Sequence, residues 1–396
     1  MKSFKKYLSQ TPPEETLFWC VVLTFLLLPT GTAPPLIAIG LACVVWIFSG
    51  QFMTGLSIVK QPWFRPVILF LILPWIGLTY SKNMDLGMDY AMKTKYWIAV
   101  FITAGCYLSE KRFFILVCAF WGGLSAGAIL ALFQFAGFVK PVNVFYLGFG
   151  IVHTLISMYL LIGILMAAFY FRRETGLWAK AGFLVLIFLF LFHLTVLEGR
   201  SGYLIFALLS PLVAWDLTHR FSLKIKALAC VALVFSLCLS PVVRNRVADS
   251  FTKLNENRDK IMTGEDIKEM PRPFITRQTL DAMKKHPIIG IGTGSLPEFT
   301  RPKGSAVNHP HNNFLYMGVS FGIAGIIAFF WLFWNMLSRS WRSRENPLGY
   351  FVFSTGLVLF LGGMFDTQIL NTGTLLMLAM SYGFLAHLDP MKKGRV

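Results

Sequence analysis

Two histidines and a following pair of asparagines, in the run Asn308–His309–Pro310–His311–Asn312–Asn313, stand where a long apolar segment begins. A histidine has an ordinary pKa near 6.5, so His311 could take a proton from a hydroxyl or, once protonated, pair with phosphate. Capping of the following helix is the other interpretation. His309 and His311 could also ligate a metal, but no third ligand is evident beside them, so the sequence disfavours a zinc site.

Three arginines are candidate phosphate ligands. Arg200 stands between glycines in the run Glu198–Gly199–Arg200–Ser201–Gly202. The glycines would let a bulky ligand approach the backbone and leave the guanidinium to pair with phosphate, whereas a membrane-surface anchor is the alternative. Arg272 and Arg277 precede the glycine-rich run His286–Ser295, which lacks the features of a P-loop. We interpret that run as a flexible turn and the arginines as the better phosphate candidates.

Other charged residues lie near predicted helix ends. Asp366 is the only carboxylate of the last predicted outside loop, where it could orient His311, bind a sugar or be a plain loop acid. Lys93 and Lys95 stand at the outer end of a predicted helix. They could attract a diphosphate or simply anchor the helix at the membrane surface.

The elements that must position these residues are membrane helices. The chain has 396 residues, of which 56% are hydrophobic and 14% charged, with a net charge of +17. So apolar a composition excludes an ordinary soluble enzyme, and the excess of basic residues is better explained by membrane topology than by nucleic-acid binding.

The apolar runs predict an all-α, polytopic membrane protein with about twelve transmembrane helices. Spanning about 30 Å of hydrocarbon takes roughly 20 helical residues. The predicted segments are 15–30, 34–50, 66–80, 92–109, 113–137, 149–171, 178–197, 201–216, 224–242, 314–337, 348–365 and 371–388.

The distribution of charge predicts the orientation of these segments. With a cytoplasmic N-terminus, 19 of the 36 Lys and Arg residues fall inside and five fall in short outside loops. The other 12 lie in one long outside segment, too large to follow the positive-inside rule. Both termini are therefore expected in the cytoplasm.

Three regions follow from this pattern. Residues 1–240 hold helices one to nine, residues 241–313 form a large outside loop that carries candidate catalytic residues, and residues 314–396 hold helices ten to twelve. Within the loop, Phe274–Lys285 reads as a short amphipathic helix that could lie on the membrane surface. Topology brings Arg200, one or both of Arg272 and Arg277, and His311 to the same face, as an anionic lipid-linked donor requires.

The sequence resembles the O-antigen ligase family, whose superfamily also holds O-antigen polymerases and protein O-oligosaccharyltransferases. His311–Asn312 followed by Gly322 and Gly325 is similar to the family's histidine signature with spaced glycines. Arg200 is similar to the family's arginine at an outer helix mouth. Arg277, followed by Pro287–Ile288–Ile289–Gly290–Ile291–Gly292, is similar to its arginine and Pro-x-x-Gly-x-Gly pattern.

The resemblance implies a glycosyltransferase of GT-C-type architecture in the bacterial inner membrane, with its active site on the periplasmic face. Such ligases, which act in lipopolysaccharide biosynthesis, move a polymer en bloc from undecaprenyl diphosphate to a terminal sugar of lipid A-core. The transfer inverts the anomeric carbon and needs no metal, nucleotide or other cofactor. The implied partners are the donor, the acceptor and membrane lipids, without nucleic acid.

The resemblance also assigns roles. Arg200 and Arg277 would bind the diphosphate, and His311 would activate the acceptor hydroxyl or steady the leaving group. Arg272 and His309 are alternative occupants of these roles. The wider substrate-binding set adds Asn312, Asp366, Lys93 and Lys95.

Three other functions fit parts of the pattern. An O-antigen polymerase would use the same donor, and length and topology barely separate it from a ligase. A protein O-oligosaccharyltransferase typically carries a longer C-terminal region. A twelve-helix transporter or lipid flippase usually shows matching halves and acidic residues at mid-membrane, which we do not find in the sequence.

Overall fold

A computed structural model of the chain describes residues 13–142, 146–256, 272–300 and 308–388. The regular secondary structure of these ranges is entirely helical, without a strand. Helices satisfy their own backbone hydrogen bonds, which is the requirement that hydrocarbon imposes on a spanning segment.

The helices of the described ranges are numbered here in chain order. They are α1 Pro13–Leu27, α2 Ala33–Phe48, α3 Phe52–Leu56, α4 Arg65–Leu78, α5 Met84–Met92, α6 Ile98–Gly105, α7 Glu110–Phe135, α8 His153–Arg173, α9 Leu177–Val196, α10 Arg200–Leu217, α11 Leu223–Cys238, α12 Pro241–Glu256, α13 Arg272–Lys285, α14 Leu296–Phe299, α15 Asn313–Arg342, α16 Pro347–Gly362 and α17 Thr372–Gly383. Short 3-10 turns adjoin several of them, among them Lys93–Trp97 and Gln368–Leu370.

Polar side chains begin several of these helices. Asn83, Ser109, Asn312, Asn346 and Asn371 each accept a hydrogen bond from a backbone N–H in the first turn of the helix that follows. Such caps satisfy donors that a helix start leaves unpaired. The apolar runs therefore become helices with sharply defined polar starts.

The protein is a multi-pass membrane protein. By length and composition, five helices of the described residues could each cross a bilayer: α1 with its following turn, α7, α8, α9 and α15. Counting each of two bent pairs as one span, α2 with α3 (105°) and α11 with α12 (79°), raises the number to seven. Each of the twelve predicted segments overlaps a helix, but several of these helices are short, so twelve spans stays a prediction.

The core of the bundle surrounds α8. In its most apolar stretch 89% of the residues of this helix are buried, and the helix packs against α9, α10 and α16. Its first residues, His153 and Thr154, therefore lie among neighbouring helix ends rather than in lipid. The packing of α8 fixes where α10 begins and where the loop after α16 runs.

The long helix α15 is broken at Gly322, whose φ of 62° and ψ of −148° are not helical. A break leaves backbone N–H and C=O groups without hydrogen-bond partners, and hydrocarbon cannot solvate them. The segment Pro287–Ser295, here called the glycine strap, satisfies them. Ile291 N–H donates to Val319 O (2.8 Å), Gly292 N–H donates to Ser320 O (3.0 Å), and Ile323 N–H donates to Pro287 O (2.9 Å).

The other side of the strap is tied to α4. Thr293 donates its backbone N–H to Gly77 O (3.1 Å) and its hydroxyl to Pro74 O (2.7 Å). The strap is buried from Gly290 to Ser295. Its glycines were expected to form a flexible turn, and that expectation is wrong: their missing side chains let backbone pack against backbone.

The expected amphipathic helix is present as α13. Its apolar face, with Ile275, Thr279 and Ala282 buried, packs against α15. Where the structure describes the predicted loop 241–313, it holds α12, α13, α14 and the glycine strap. This region is consequently built into the bundle through α13 and the strap.

Candidate active site

The site is built around His311, which precedes α15 in an unusual backbone conformation. Its φ of 52° makes it the one residue other than glycine with positive φ in the described ranges. Such a conformation is costly and persists only where the surroundings hold it, which often happens at functional sites.

Asn312 supplies much of that hold. Its side-chain oxygen caps α15 by accepting from Leu315 N–H (3.0 Å), and its side-chain amide donates to Met364 O (2.8 Å). Its backbone N–H donates to the Thr367 hydroxyl (3.1 Å). Asn312 therefore clamps the start of α15 to the loop after α16, which is the loop that carries Asp366.

His311 and Asp366 form a hydrogen-bonded pair. His311 Nδ1 lies 3.1 Å from Asp366 Oδ1. Burial would raise the pKa of Asp366, but hydrogen bonds from His311, Thr154 and the Thr367 N–H outweigh it and lower the pKa to about 2. Asp366 is therefore an ionised carboxylate at neutral pH.

An ionised carboxylate can only accept, so Asp366 holds the His311 ring with a proton on Nδ1. With its single proton on Nδ1, the neutral ring would offer the lone pair of Nε2. No hydrogen bond to Nε2 is found among the described residues, and the His311 side chain is 36% exposed. A residue held in this way can serve as a general base.

His309 contacts His311 through its ring and through a backbone hydrogen bond. Its ring lies 4.4 Å from that of His311, and its Nδ1 is 3.4 Å from the His311 backbone N–H, which can donate to it. Burial lowers the pKa of His309 to about 4, and the neighbouring His311 ring lowers it further whenever that ring is protonated. His309 is therefore neutral at pH 7 and is better suited to positioning His311 than to pairing with phosphate.

A third group with metal-ligand chemistry does lie beside the two histidines. His309, His311 and Asp366 each offer one ligand atom, and these atoms lie within 4.8 Å of one another. The expectation that no third ligand would be near is wrong, because Asp366 arrives from a distant loop. The facing atoms of His311 and Asp366 are, however, joined by their own hydrogen bond, so binding a metal there would require that bond to open.

Next to this pair is a polar cavity of about 430 Å³, here called the arginine cavity. It is lined by Tyr146, His153, Glu198, Arg200, Ser201, Arg246 and Arg272. Three guanidinium groups and one carboxylate give it a positive balance. Arg272 links the cavity to the histidine pair, since it donates to the backbone oxygen of Phe365 (3.1 Å), the residue before Asp366.

The start of α10 positions Arg200. A Cβ atom on Gly199 would lie 2.8 Å from the His153 ring, and one on Gly202 would lie 2.7 Å from the Ser157 hydroxyl. The flanking glycines were expected to admit a ligand. Instead they let α10 approach α8, and this approach directs Arg200 into the arginine cavity.

The other predicted basic residues lie in different surroundings, and only Lys93 is close to the histidines. Arg277 is exposed on α13 and does not line the arginine cavity. Lys93 is half-buried and donates to Leu370 O, close enough to His309 to affect its pKa. Lys95 is exposed and lies over the Tyr96 ring, 5.3 Å from its centre, as a helix anchor would.

The sequence reasoning missed four residues: Arg246, His153, Thr154 and Tyr146. Arg246 forms an ion pair with Glu198 inside the arginine cavity. A signal for it existed, because the run after Pro241 can continue as a helix with a proline in its first turn. His153 and Thr154 had no comparable signal, since only the packing of α8 brings them to the site.

These features define a helical membrane protein with a histidine–carboxylate pair beside a cationic cavity. A family model described as O-antigen ligase matches residues 18–330, most of the chain, so the protein belongs to the O-antigen ligase family. The matched range includes the arginine cavity and His311 and ends before Asp366. Membership supports activity of the O-antigen ligase or polymerase type, on lipid-linked polysaccharide substrates in a membrane. No curated protein matches the chain.

Proposed function

We propose that this protein is an O-antigen ligase of lipopolysaccharide biosynthesis. It transfers O-antigen polysaccharide en bloc from undecaprenyl diphosphate to a terminal sugar of lipid A-core. The observation that carries the proposal is the arginine cavity, joined to the His311–Asp366 pair through Arg272. A diphosphate and a hydroxyl to be activated are the two chemical groups that this arrangement fits.

In this proposal the arginine cavity binds the diphosphate of the donor. Arg200 and Arg272 pair with its oxygens, because a guanidinium matches phosphate geometry with two parallel hydrogen bonds. Arg246 adds a third cation once the diphosphate competes with Glu198 for it. Lys93 lies on the His309 side, where it extends the positive field towards the acceptor.

The proposed transfer is a single displacement. The acceptor hydroxyl oxygen bonds to the anomeric carbon as the bond from that carbon to the diphosphate oxygen breaks, and the hydroxyl proton passes to Nε2 of His311. Asp366 stabilises the resulting imidazolium, and the arginines stabilise the negative charge of the leaving diphosphate. Attack opposite the leaving group inverts the anomeric carbon. No step needs a metal, so EDTA is expected to leave the rate unchanged.

The proposed placement is the bacterial inner membrane, with the arginine cavity on the periplasmic face, both termini in the cytoplasm, and twelve helices of GT-C type. Support comes from charge. The helix ends opposite the site, in residues 172–180, 216–226 and 339–345, hold nine Lys and Arg against three Asp and Glu. Such an excess is typical of cytoplasmic segments.

Complementation separates this function from its nearest alternative. A deletion strain is restored with the wild type, Arg200→Ala, Arg272→Ala or His311→Ala, and both lipopolysaccharide and lipid-linked polymer are examined. For a ligase, the deletion leaves long lipid-linked polymer unattached to lipid A-core, and each substitution reproduces that state at normal expression. Loss of His311 should slow transfer by roughly 10²- to 10⁴-fold, the usual contribution of a general base.

Other results would point elsewhere. Collapse of the polymer to single repeat units in the deletion strain indicates a polymerase. If lipopolysaccharide and lipid-linked polymer were both unchanged in the deletion strain, the result would contradict both activities and favour a transporter. Arg277→Ala serves as a control, because Arg277 lies on the same helix as Arg272 but does not line the cavity.

A further inference from the structure

A second cavity, of about 490 Å³, lies at the helix ends opposite the candidate active site. It is lined by Arg172, Pro211, Leu212, Trp215, Asp216, Trp341, Arg344, Glu345, Tyr350 and Phe353. The helices α8, α10 and α15 each begin beside the arginine cavity or His311 and end here. This opposite cavity therefore faces the other side of the membrane, and its volume is within the roughly 300–1,000 Å³ typical of ligand sites.

The walls of the opposite cavity are mostly apolar and carry tryptophan. Trp215 and Trp341 are about half exposed, at 51% and 45%, and they line the cavity together with Phe353 and Leu212. Tryptophan is enriched at the depth where lipid headgroups meet acyl chains. Water fills an apolar cavity poorly, so the walls suit the upper part of a lipid chain.

The two acids of the opposite cavity are already engaged. Asp216, 3% exposed, accepts from the Tyr350 hydroxyl (2.6 Å) and lies 3.4 Å from Arg172 Nε. Glu345 is 2.9 Å from Arg172 Nη2. Arg172 thus has two carboxylate partners and is held by them.

Arg344 is held differently. Its guanidinium lies over the Trp341 ring, 4.2 Å from the centre, and its nearest carboxylate in the described ranges is Glu345 at 4.0 Å. Lys226 does not line the cavity, but its ammonium lies 3.7 Å from the centre of the ring of Trp215, which does. Both cations therefore lie on the rings of tryptophans that line the cavity, in segments where Lys and Arg outnumber Asp and Glu three to one. A guanidinium in this setting can bind phosphate while retaining its contact with the ring.

From these observations we propose that the opposite cavity binds one anionic phospholipid of the adjacent leaflet. Its phosphate pairs with Arg344, and the upper part of an acyl chain lies against Leu212, Trp215 and Phe353, with Lys226 adding positive charge on the Trp215 side. Basic pockets between membrane helices are known to hold anionic headgroups in this way. The site is independent of the arginine cavity and uses none of the residues of the proposed transfer.

The test is native mass spectrometry of the purified full-length protein in detergent, with equal amounts of phosphatidylglycerol and phosphatidylethanolamine added. We expect one phosphatidylglycerol to be retained in preference to phosphatidylethanolamine, without displacement by inorganic phosphate. Arg344→Ala should lower retention by roughly fivefold, the effect of one basic residue at a membrane surface. Leu212→Trp should abolish retention by filling the cavity.

Two matched variants keep the test decisive. Arg342→Ala removes an exposed cation from the same helix end, and Leu208→Trp adds the same bulk at a position of α10 that is 53% exposed and does not line the cavity. Both should retain lipid as the wild type does. Equal retention of the two lipids, or an equal loss in Arg342→Ala and Arg344→Ala, overturns the proposal. If Leu212→Trp fails to fold, the arginine pair alone decides.

Discussion

Arg272 and Arg277 lie five residues apart on α13, yet only Arg272 lines the arginine cavity and touches the loop of Asp366. We expect Arg272→Ala to reduce transfer roughly ten- to hundredfold, as the loss of hydrogen bonds between charged groups would. Arg277→Ala should change transfer little. The measurement is the rate of transfer from a labelled lipid diphosphate by purified variants, and a larger effect from Arg277 would contradict the assignment.

His309 gives the site a pH-dependent stability. In the folded protein its pKa is about 4, whereas in an unfolded chain it is near 6.5, so between these values the unfolded state binds more protons. The stability of the fold should therefore fall as the pH is lowered from about 6.5 to 4. The titratable and charged groups that face His309 are His311, Asp366, Lys93 and Arg272. Asp366, with a pKa of about 2, loses its contribution only at lower pH.

Replacing His309 isolates this effect. We expect the thermal unfolding midpoint of His309→Gln to drop less between pH 7 and pH 5 than that of the wild type, measured in detergent. His286→Gln, which changes an exposed histidine at the end of α13, is the control and should behave as the wild type does. An identical pH response in His309→Gln and the wild type would exclude His309 as its source.

Much of the site could be predicted from residue types, but its pairings could not. The spacing of His309 and His311 singled out the turn that precedes α15, and Arg200 and Arg272 were both candidates. The link from His311 to Asp366 spans 55 residues and depends on how Asn312 clamps two loops together. The sequence offered no means of choosing Arg272 over Arg277, because that depends on which side of α13 packs against α15.

At the scale of elements, the glycine strap replaces the backbone partners that the break in α15 removes. A Cβ atom on Gly290 would lie 2.4 Å from the Ser320 carbonyl carbon, and the residue has φ of 72°. We expect Gly290→Ala to destabilise the protein and to reduce transfer. The added Cβ atom would collide with the Ser320 backbone and push the strap away from α15. Thermal unfolding and transfer rate are the two measurements.

Gly50→Ala is the matched control for that change. Gly50 has nearly the same φ, 73°, but a Cβ atom there would meet nothing within 4 Å. It therefore carries the backbone strain of roughly 1–2 kcal/mol without the collision. If Gly50→Ala were as damaging as Gly290→Ala, strain rather than the packing of the strap would explain the loss.

The elements themselves were largely predictable. Each of the twelve apolar runs overlaps a helix, and the pattern of Phe274–Lys285 predicted α13. The break at Gly322 was not predicted, because a glycine inside an apolar run is equally compatible with an unbroken helix. The same holds for the strap, whose glycines gave no indication that they would pair with helix ends far away in the sequence.

At the scale of the whole molecule, the proposed orientation makes opposite predictions for the two helix ends. In a background without the native cysteines, Asp281→Cys on α13 should react with a membrane-impermeant maleimide in intact spheroplasts. Arg342→Cys, at the far end of α15, should react only after lysis. Both positions are exposed, so accessibility to solvent does not distinguish them. The reverse pattern would invert the topology.

The ties of the glycine strap also set an order of assembly during synthesis. The Thr293 hydroxyl bonds to Pro74 O across 219 residues, and the strap in turn needs Val319 and Ser320. The end of α4 therefore lacks these partners until the 219 residues that separate Pro74 from Thr293 have been made. The His311–Asp366 pair closes later still. The proposed site is therefore complete only after Asp366 has been synthesised, 55 residues beyond His311.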